Sequence, residues 1–282
     1  MINPNNITIA LDDGHGLETS GKRTPLLPNE QTSEIGLPYM NENLFNRAVV
    51  NYLKVELERC GFKTLLIAPT DVDTPLEQRT KLANDKKVNL FVSVHANASA
   101  GKWFDGGGIE TFGMPTGESK KLADIVHKHV IKGTAFKDRG VKDGSHLWVI
   151  RKTNMPSILL ELGFMDSNQD YVHLLNDEYR KECAIEICKG ICEYYGVAYV
   201  EQIVVKSQPK PEKVEDIQGD EELMNLSPAL KEYVKAELQD LTDIQRYGKD
   251  ALSTMWLDKF LKNEMSSWEA VAILYAAKRK GI

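Results

Sequence analysis

Basic charge is in short supply in this chain: 35 Lys and Arg residues stand against 41 Asp and Glu, a formal net charge of -6 at pH 7. A nucleic-acid partner needs a basic surface to neutralise phosphates, so that class is excluded. Long apolar runs are missing too. No stretch approaches the roughly 20 apolar residues of a membrane-spanning helix, and residues 1–20 carry neither the basic start nor the apolar core of a secretory leader. The expectation is a protein made in a cytoplasm and left there unless something releases it. Cysteine is sparse, with only Cys60, Cys183, Cys188 and Cys192, which excludes a disulfide scaffold and fits a reducing compartment. Three of them share one predicted helix, where thiols are expected to pack as small hydrophobes rather than bind metal or bridge. What remains, 282 residues with 42% hydrophobic and 27% charged, is ordinary globular composition, long enough for one large domain and a smaller one.

The chain is organised around Leu90 to Ala98, LFVSVHANA. Alternating β-branched residues predict a buried strand of a parallel sheet that stops abruptly at a histidine. Ligands of open α/β sheets gather at the carboxyl ends of strands. His95 is therefore a candidate ligand, with Ser93 and Asn97 on its face of the strand; a histidine satisfied by a backbone carbonyl is the competing reading. Ile7 to Leu11 predicts a first strand running into Asp12-Asp13-Gly14-His15-Gly16, where glycines permit a sharp turn and His15 takes the same kind of place. Leu17 to Tyr39 is polar and holds Pro25, Pro28 and Pro38, which predicts a long surface loop. Glu42 to Cys60 has helical spacing, with Asn41 as N-cap and Gly61 closing it. Glu42 then sits in the first turn, where a glutamate ordinarily complements the helix dipole.

Phe62 to Ala68 predicts a second strand and Leu76 to Asp85 a short helix. The β-α-β-α-β alternation predicts an α/β domain: a mostly parallel twisted sheet with helices on both faces. Gly106-Gly107-Gly108 lacks the Lys-Ser/Thr of a phosphate loop, and a strand follows at Ile109 to Phe112. Glu118 to Lys132 predicts a helix with His127 and His129 on the surface. Leu147 to Ile150 and Ile158 to Leu162 predict two more strands, and Asp170 to Leu175 and Asp177 to Tyr195 the closing helices. Glu161 lies inside SILLELGF, and a carboxylate in an apolar strand is costly unless something pairs with it. A catalytic zinc takes three nitrogen or oxygen ligands and an open position for water. His15, Glu42 and His95 can supply the three, and Glu161 can act as the base that moves the water's proton to a leaving amine. Each residue alone has a structural alternative; four at one end of one predicted sheet form a candidate site.

IALDDGHG, NENLFNRAVVNYL, DTPLEQRTKLAND, NLFVSVHANA and MPSILLELGFMDSNQD, in that order between Ile7 and Tyr195, resemble the successive motifs of the zinc-dependent N-acetylmuramoyl-L-alanine amidases. These bacterial and phage enzymes cut the bond between muramic acid and the stem peptide of peptidoglycan. The resemblance implies a zinc amidase / carboxypeptidase-like fold, one catalytic Zn2+ on His15, Glu42 and His95, and Glu161 as the catalytic carboxylate. The sequence departs from the family after its GHG, where GLETSGKRTPLLPNEQ replaces a glycine-rich Asp-Pro-Gly continuation. That makes Glu30 a competing ligand; Glu42 is preferred because its distance to Leu53 fits the family's helix. No long inhibitory insertion of the kind some autolysins carry stands between His95 and Glu161, so an open groove is expected. Ser93, Asn97 and Arg151 are candidates for positioning substrate or steadying a ligand, against a reading as ordinary turn-formers.

The expected organisation is a catalytic domain at residues 1–198, a charged proline-containing linker at 199–222, and a bundle of three or four helices at 223–282. For the bundle, wall targeting and homo-oligomerisation are both open, with Trp256 and Trp268 able to stack on sugar. The lack of a secretory leader, together with a tail domain, favours a phage or prophage endolysin, made in the bacterial cytoplasm and reaching peptidoglycan by holin-type or lytic release, over a conventionally exported host autolysin; a spore lysin is the other variant of that role. The alternatives are a zinc peptidase cutting within the stem peptide and a non-catalytic wall-binding protein with a degenerate metal site.

Overall fold

The computed structural model describes residues 2–17, 19–28, 31–33, 35–134 and 136–201. Glu30, the expected bundle and nearly all of the expected linker lie outside the described residues. In chain order the elements are β1 (Thr8–Asp12), α1 (Glu42–Arg59), β2 (Lys63–Leu66), α2 (Leu76–Asp85), β3 (Leu90–Asn97), β4 (Ile109–Gly113), α3 (Gly117–Gly133), β5 (Asp138–Asp143), α4 (Trp148–Arg151), β6 (Ser157–Phe164), α5 (Tyr171–Leu174) and α6 (Asp177–Tyr195). The strands form one six-stranded sheet in the order β2-β1-β3-β6-β4-β5. Every pairing is parallel except β4 with β6.

Successive strand residues point to opposite faces, and here both faces are covered. Ile9 and Leu11, Val92 and Val94, Ile158 and Leu160 join α1, α3 and α6 in the larger core. Ala10, Phe91 and Leu159, the residues between them, join Ala83 of α2 and Val149 and Ile150 of α4 in the smaller one. Burial on both sides is why the central strands read as continuous apolar runs rather than alternating ones. β3 and β6 are adjacent, in a register that sets His95 opposite Glu161. Among the described residues no helix is long and apolar enough to cross a membrane.

Several expectations are corrected by the structure. Leu147 to Ile150 is no strand: Trp148–Arg151 is one turn of helix, with Arg151 N–H donating to the Leu147 carbonyl and Lys152 N–H to that of Trp148. Four apolar residues cannot distinguish the two by pattern, and the burial of the neighbours Val149 and Ile150 on one side is helical. β5, DRGVKD, was not expected because an edge strand with exposed ends has no apolar signature. β3 does not stop at His95 but runs on to Asn97 through a register shift. His127 is not a surface residue: it falls on the stripe Ser119, Leu122, Ala123, Val126, His127 and Val130 that α3 buries. Its ring lies between Thr111 Oγ1 at 3.0 Å and Asp138 Oδ1 at 2.8 Å. His129 is half-buried between two carboxylates of α6, Glu193 at 2.6 Å and Glu186 at 3.8 Å. Tyr199 and Val200, the first residues of the expected linker, are held against α1 by Arg59, which donates to the Tyr199 hydroxyl and the Val200 carbonyl.

Candidate metal centre and active site

β1 delivers the chain into the turn that carries His15. Gly14 has φ +37° and a Cβ there would overlap the His95 ring, so only glycine fits between the two histidines. His15 itself adopts a left-handed φ of 59°, a conformation that costs of order 1 kcal/mol or more and persists only when neighbours hold it. They do. Arg79 of α2, 1% exposed, donates to the His15 carbonyl at 2.9 Å, to Asp12 Oδ1 at 2.6 Å, to Asp73 Oδ1 at 2.9 Å and to the Thr74 carbonyl at 2.6 Å. From the other side Asn43 of α1 donates to the carbonyls of Asp13 at 2.8 Å and Gly14 at 2.9 Å.

Glu42 opens α1 and is buried. Asn41 takes the N-cap position, but its side chain donates to the Leu17 carbonyl instead of capping, and Glu42 N–H finds the Lys22 carbonyl. The Glu42 carboxylate turns to the two histidines: Oε1 is 2.9 Å from His95 Nδ1 and Oε2 3.4 Å from His15 Nε2. Asn46, one turn on, donates to Oε1 at 3.2 Å. The two imidazoles stand edge to face with centroids 5.1 Å apart. One ligand atom from each of His15, Glu42 and His95 lies within 4.8 Å of the others, so this set is able to hold a metal ion.

Burial pushes His15 down to about 4 against the pull of Glu42. It pushes His95 down as well, but the hydrogen bond and charge of Glu42 outweigh it and raise that ring to about 9. Burial would raise Glu42; the two histidines hold it near 2 instead. At neutral pH the set therefore contains one imidazolium hydrogen-bonded to a carboxylate, the proton occupying a place a cation can take. Glu161 sits opposite His95 and also opposite Glu110 of β4. Burial raises its carboxyl to about 8, Glu42 and Glu110 adding to the rise and His95 opposing it. Its Oε2 is buried with no hydrogen-bond partner among the described residues. A buried acceptor of that kind costs ~1–3 kcal/mol unless a ligand satisfies it.

His15, His95 and Glu161 line a groove of about 600 Å³ together with the apolar side chains of Leu76, Leu147 and Trp148, while Glu42 lies buried behind the two histidines. His15, Glu42, His95 and Glu161 are thus brought together. Ser93 is fully buried and donates to Asp12 Oδ2 at 2.6 Å, which places it beneath the site, not in contact with the groove. Asn97 donates to Glu110 Oε1 at 2.8 Å. Arg151 is exposed at the end of α4 and does not line the groove, although its neighbours Trp148 and Val149 do. The sequence reading gave no role to Arg79, Asn43, Asn46 or Asp12. Their signal was a polar residue on the inward face of an amphipathic helix or at an apolar strand's last position, which is expensive without a buried partner.

A family model described as N-acetylmuramoyl-L-alanine amidase, Amidase_3, matches residues 9–193. An uncharacterized cell wall amidase of Bacillus anthracis is 33% identical over 204 residues, 67% of this chain and 35% of that protein. The endolysin of Bacillus phage SPP1 is 37% identical over 191 residues, 65% of this chain and 64% of that protein. The chain therefore spans about a third of the first relative's length and just under two thirds of the second's. Among solved structures, the catalytic domain of CwlV, an N-acetylmuramoyl-L-alanine amidase from Bacillus (Paenibacillus) polymyxa, superposes with a TM-score of 0.58 at 30% identity, covering 68% of this chain and 99% of that one.

Proposed function

This chain belongs to the Amidase_3 family of N-acetylmuramoyl-L-alanine amidases, and we propose that it hydrolyses peptidoglycan at the amide joining N-acetylmuramic acid to the L-alanine of the stem peptide, with one Zn2+ on His15, Glu42 and His95. The observation that carries the proposal is the convergence of two imidazoles and a buried carboxylate beside Glu161, whose Oε2 lacks a partner among the described residues. The donor set fits the ion: two nitrogens and one carboxylate, which leaves a coordination position open. When bound, zinc supplies Lewis acidity toward the amide carbonyl and toward water.

The chain's own residues do the rest. Glu161 Oε2 accepts the proton of the attacking water and returns it to the departing alanine nitrogen, so one carboxylate serves first as base and then as acid. Arg79 and Asn43 fix the His15 turn, and Asn46 steadies the Glu42 carboxylate, so the donors are positioned before substrate arrives. The similarity to a phage endolysin supports a lytic role, with the wall reached by holin-type or lytic release. The region at 223–282 would then serve as a wall-targeting or oligomerisation module. Clearing of purified cell walls tests the hydrolytic reading: activity is lost on chelation and regained with zinc, whereas clearing that persists in chelator contradicts it.

Metal binding has a pH dependence with a fixed sign. His95, held near 9 by Glu42, must lose its proton to ligate, whereas His15 and Glu42 are already deprotonated at neutral pH. Zinc binding at pH 7.5 is therefore expected to release about one proton, and affinity to fall roughly tenfold per unit as pH drops below the His95 value. Titration calorimetry in two buffers of different ionisation enthalpy measures the proton count; a count of zero contradicts the assignment of His95.

A further inference from the structure

Three of the four cysteines converge far from the groove. Cys60 caps the C-terminal end of α1, and Cys188 and Cys192 lie one turn apart on α6. One sulfur from each lies within 4.8 Å of the other two, and Cys60 and Cys188 are 3.8 Å apart. All three are buried and none is in a disulfide. Packing as small hydrophobes accounts for that burial, and Cys183, equally buried on α6, needs no other reading. It does not account for two sulfurs of one helix and one of another facing a single point.

The spacing is informative. Zinc–sulfur bonds of ~2.3 Å at tetrahedral angles set ligand sulfurs about 3.8 Å apart, as for Cys60 and Cys188. The Val200 N–H donates to Cys60 Sγ at 3.4 Å, a backbone hydrogen bond of the kind that favours thiolate over thiol. Soft thiolates select thiophilic ions over hard ones.

We propose that Cys60, Cys188 and Cys192 form a second metal site, remote from the groove, for a thiophilic divalent cation of the zinc class. On loading, three S–H bonds lose their protons to solvent as three metal–sulfur bonds form; no electron is transferred. The ion ties the end of α1 to α6 and, through Val200, to the point where the chain leaves the catalytic domain. Eighteen residues of helix, about 27 Å, separate Cys60 from Glu42, so the two donor sets are independent. The catalytic set contains no sulfur, and that makes the two distinguishable by spectroscopy.

The test uses the full chain, reduced and stripped of metal, titrated with cadmium, with His95→Ala present as a second sample to weaken the groove site. Sulfur-to-cadmium charge-transfer absorption is expected in both proteins, saturating at one ion per chain in His95→Ala. Cys188→Ser and Cys192→Ser are each expected to lose the band and the rise in melting temperature that accompanies it, and Cys183→Ser to keep both. Absence of the band in the unsubstituted protein overturns the proposal without reference to any variant's folding. A band unchanged in both Cys188→Ser and Cys192→Ser overturns it as well. Wall digestion is a separate readout, so failure of the thiolate site and failure of the amidase reading are told apart.

Discussion

Replacing Glu161 by glutamine is expected to lower the rate of peptidoglycan digestion by roughly 10²–10⁴-fold, the contribution of a positioned general acid–base group. Glutamine keeps the size of the side chain and removes its ability to take a proton at Oε2. The ligand set of His15, Glu42 and His95 is untouched, so metal content and sedimentation with cell walls are expected to remain at the level of the unsubstituted protein. That combination separates chemistry from binding. The pH profile carries the same assignment: burial raises Glu161 to about 8, and a cation held nearby lowers it. The acid limb of kcat/KM is therefore expected between the ordinary carboxylate value of ~4.3 and about 8. Digestion by Glu161→Gln within a few fold of the unsubstituted rate would remove Glu161 from the mechanism.

Arg79→Leu is expected to be the single change outside the ligand set that costs the fold most stability. Arg79 and Asp12 are 1% and 2% exposed and 2.6 Å apart, and removing one partner of such a pair strands the other charge in the core, at about 3–5 kcal/mol. For a domain of this size that lowers the melting temperature by roughly 6–20 °C. The His15 carbonyl loses its guanidinium donor at the same time, so zinc affinity falls together with stability. Arg79→Lys is not expected to rescue, because one ammonium cannot reproduce a planar fork that reaches four acceptors. Calorimetric melting and metal titration of both variants check this, and a melting shift below about 2 °C would show that the clamp carries little energy.

The parts of the fold legible in the sequence are those where one physical signal dominates. β1, β3 and β6 announce themselves as apolar runs because helices cover both faces of the sheet. The helices at Leu76–Asp85 and Asp177–Tyr195 have the boundaries the sequence predicts, since each begins after a turn signal. Sheet order was not legible. Nothing in SILLELGF says that it inserts between β3 and β4, or that β4 runs antiparallel to it, because neighbours in a sheet are chosen by long-range packing. Trp148–Arg151 is too short for periodicity to decide, and β5 is too polar to register.

The candidate site divides in the same way. His15, His95 and Glu161 are legible as a set: each histidine alone has an ordinary structural reading, but two of them at the ends of neighbouring apolar strands, with a carboxylate inside a third, point to one site. Glu42 was harder, since a glutamate in a first turn is ordinary; what marks it is burial, which only the fold supplies. The supporting residues were hidden for a related reason. Arg79 lies in LEQRTKLAND, a polar helix whose one inward arginine looks like its solvated neighbours until Asp12, Asp73 and the His15 carbonyl are placed around it. His127 could have been found, since it continues the apolar stripe of α3.

The most direct test of the proposed function is mass spectrometry of the fragments released from purified peptidoglycan by the zinc-loaded full chain. Stem peptides with a free N-terminal L-alanine, together with glycan strands whose muramic acid carries an unsubstituted lactyl carboxylate, are the expected products. Fragments cut within the stem peptide, leaving alanine attached to muramic acid, would contradict the assignment and make the same zinc site that of a peptidase.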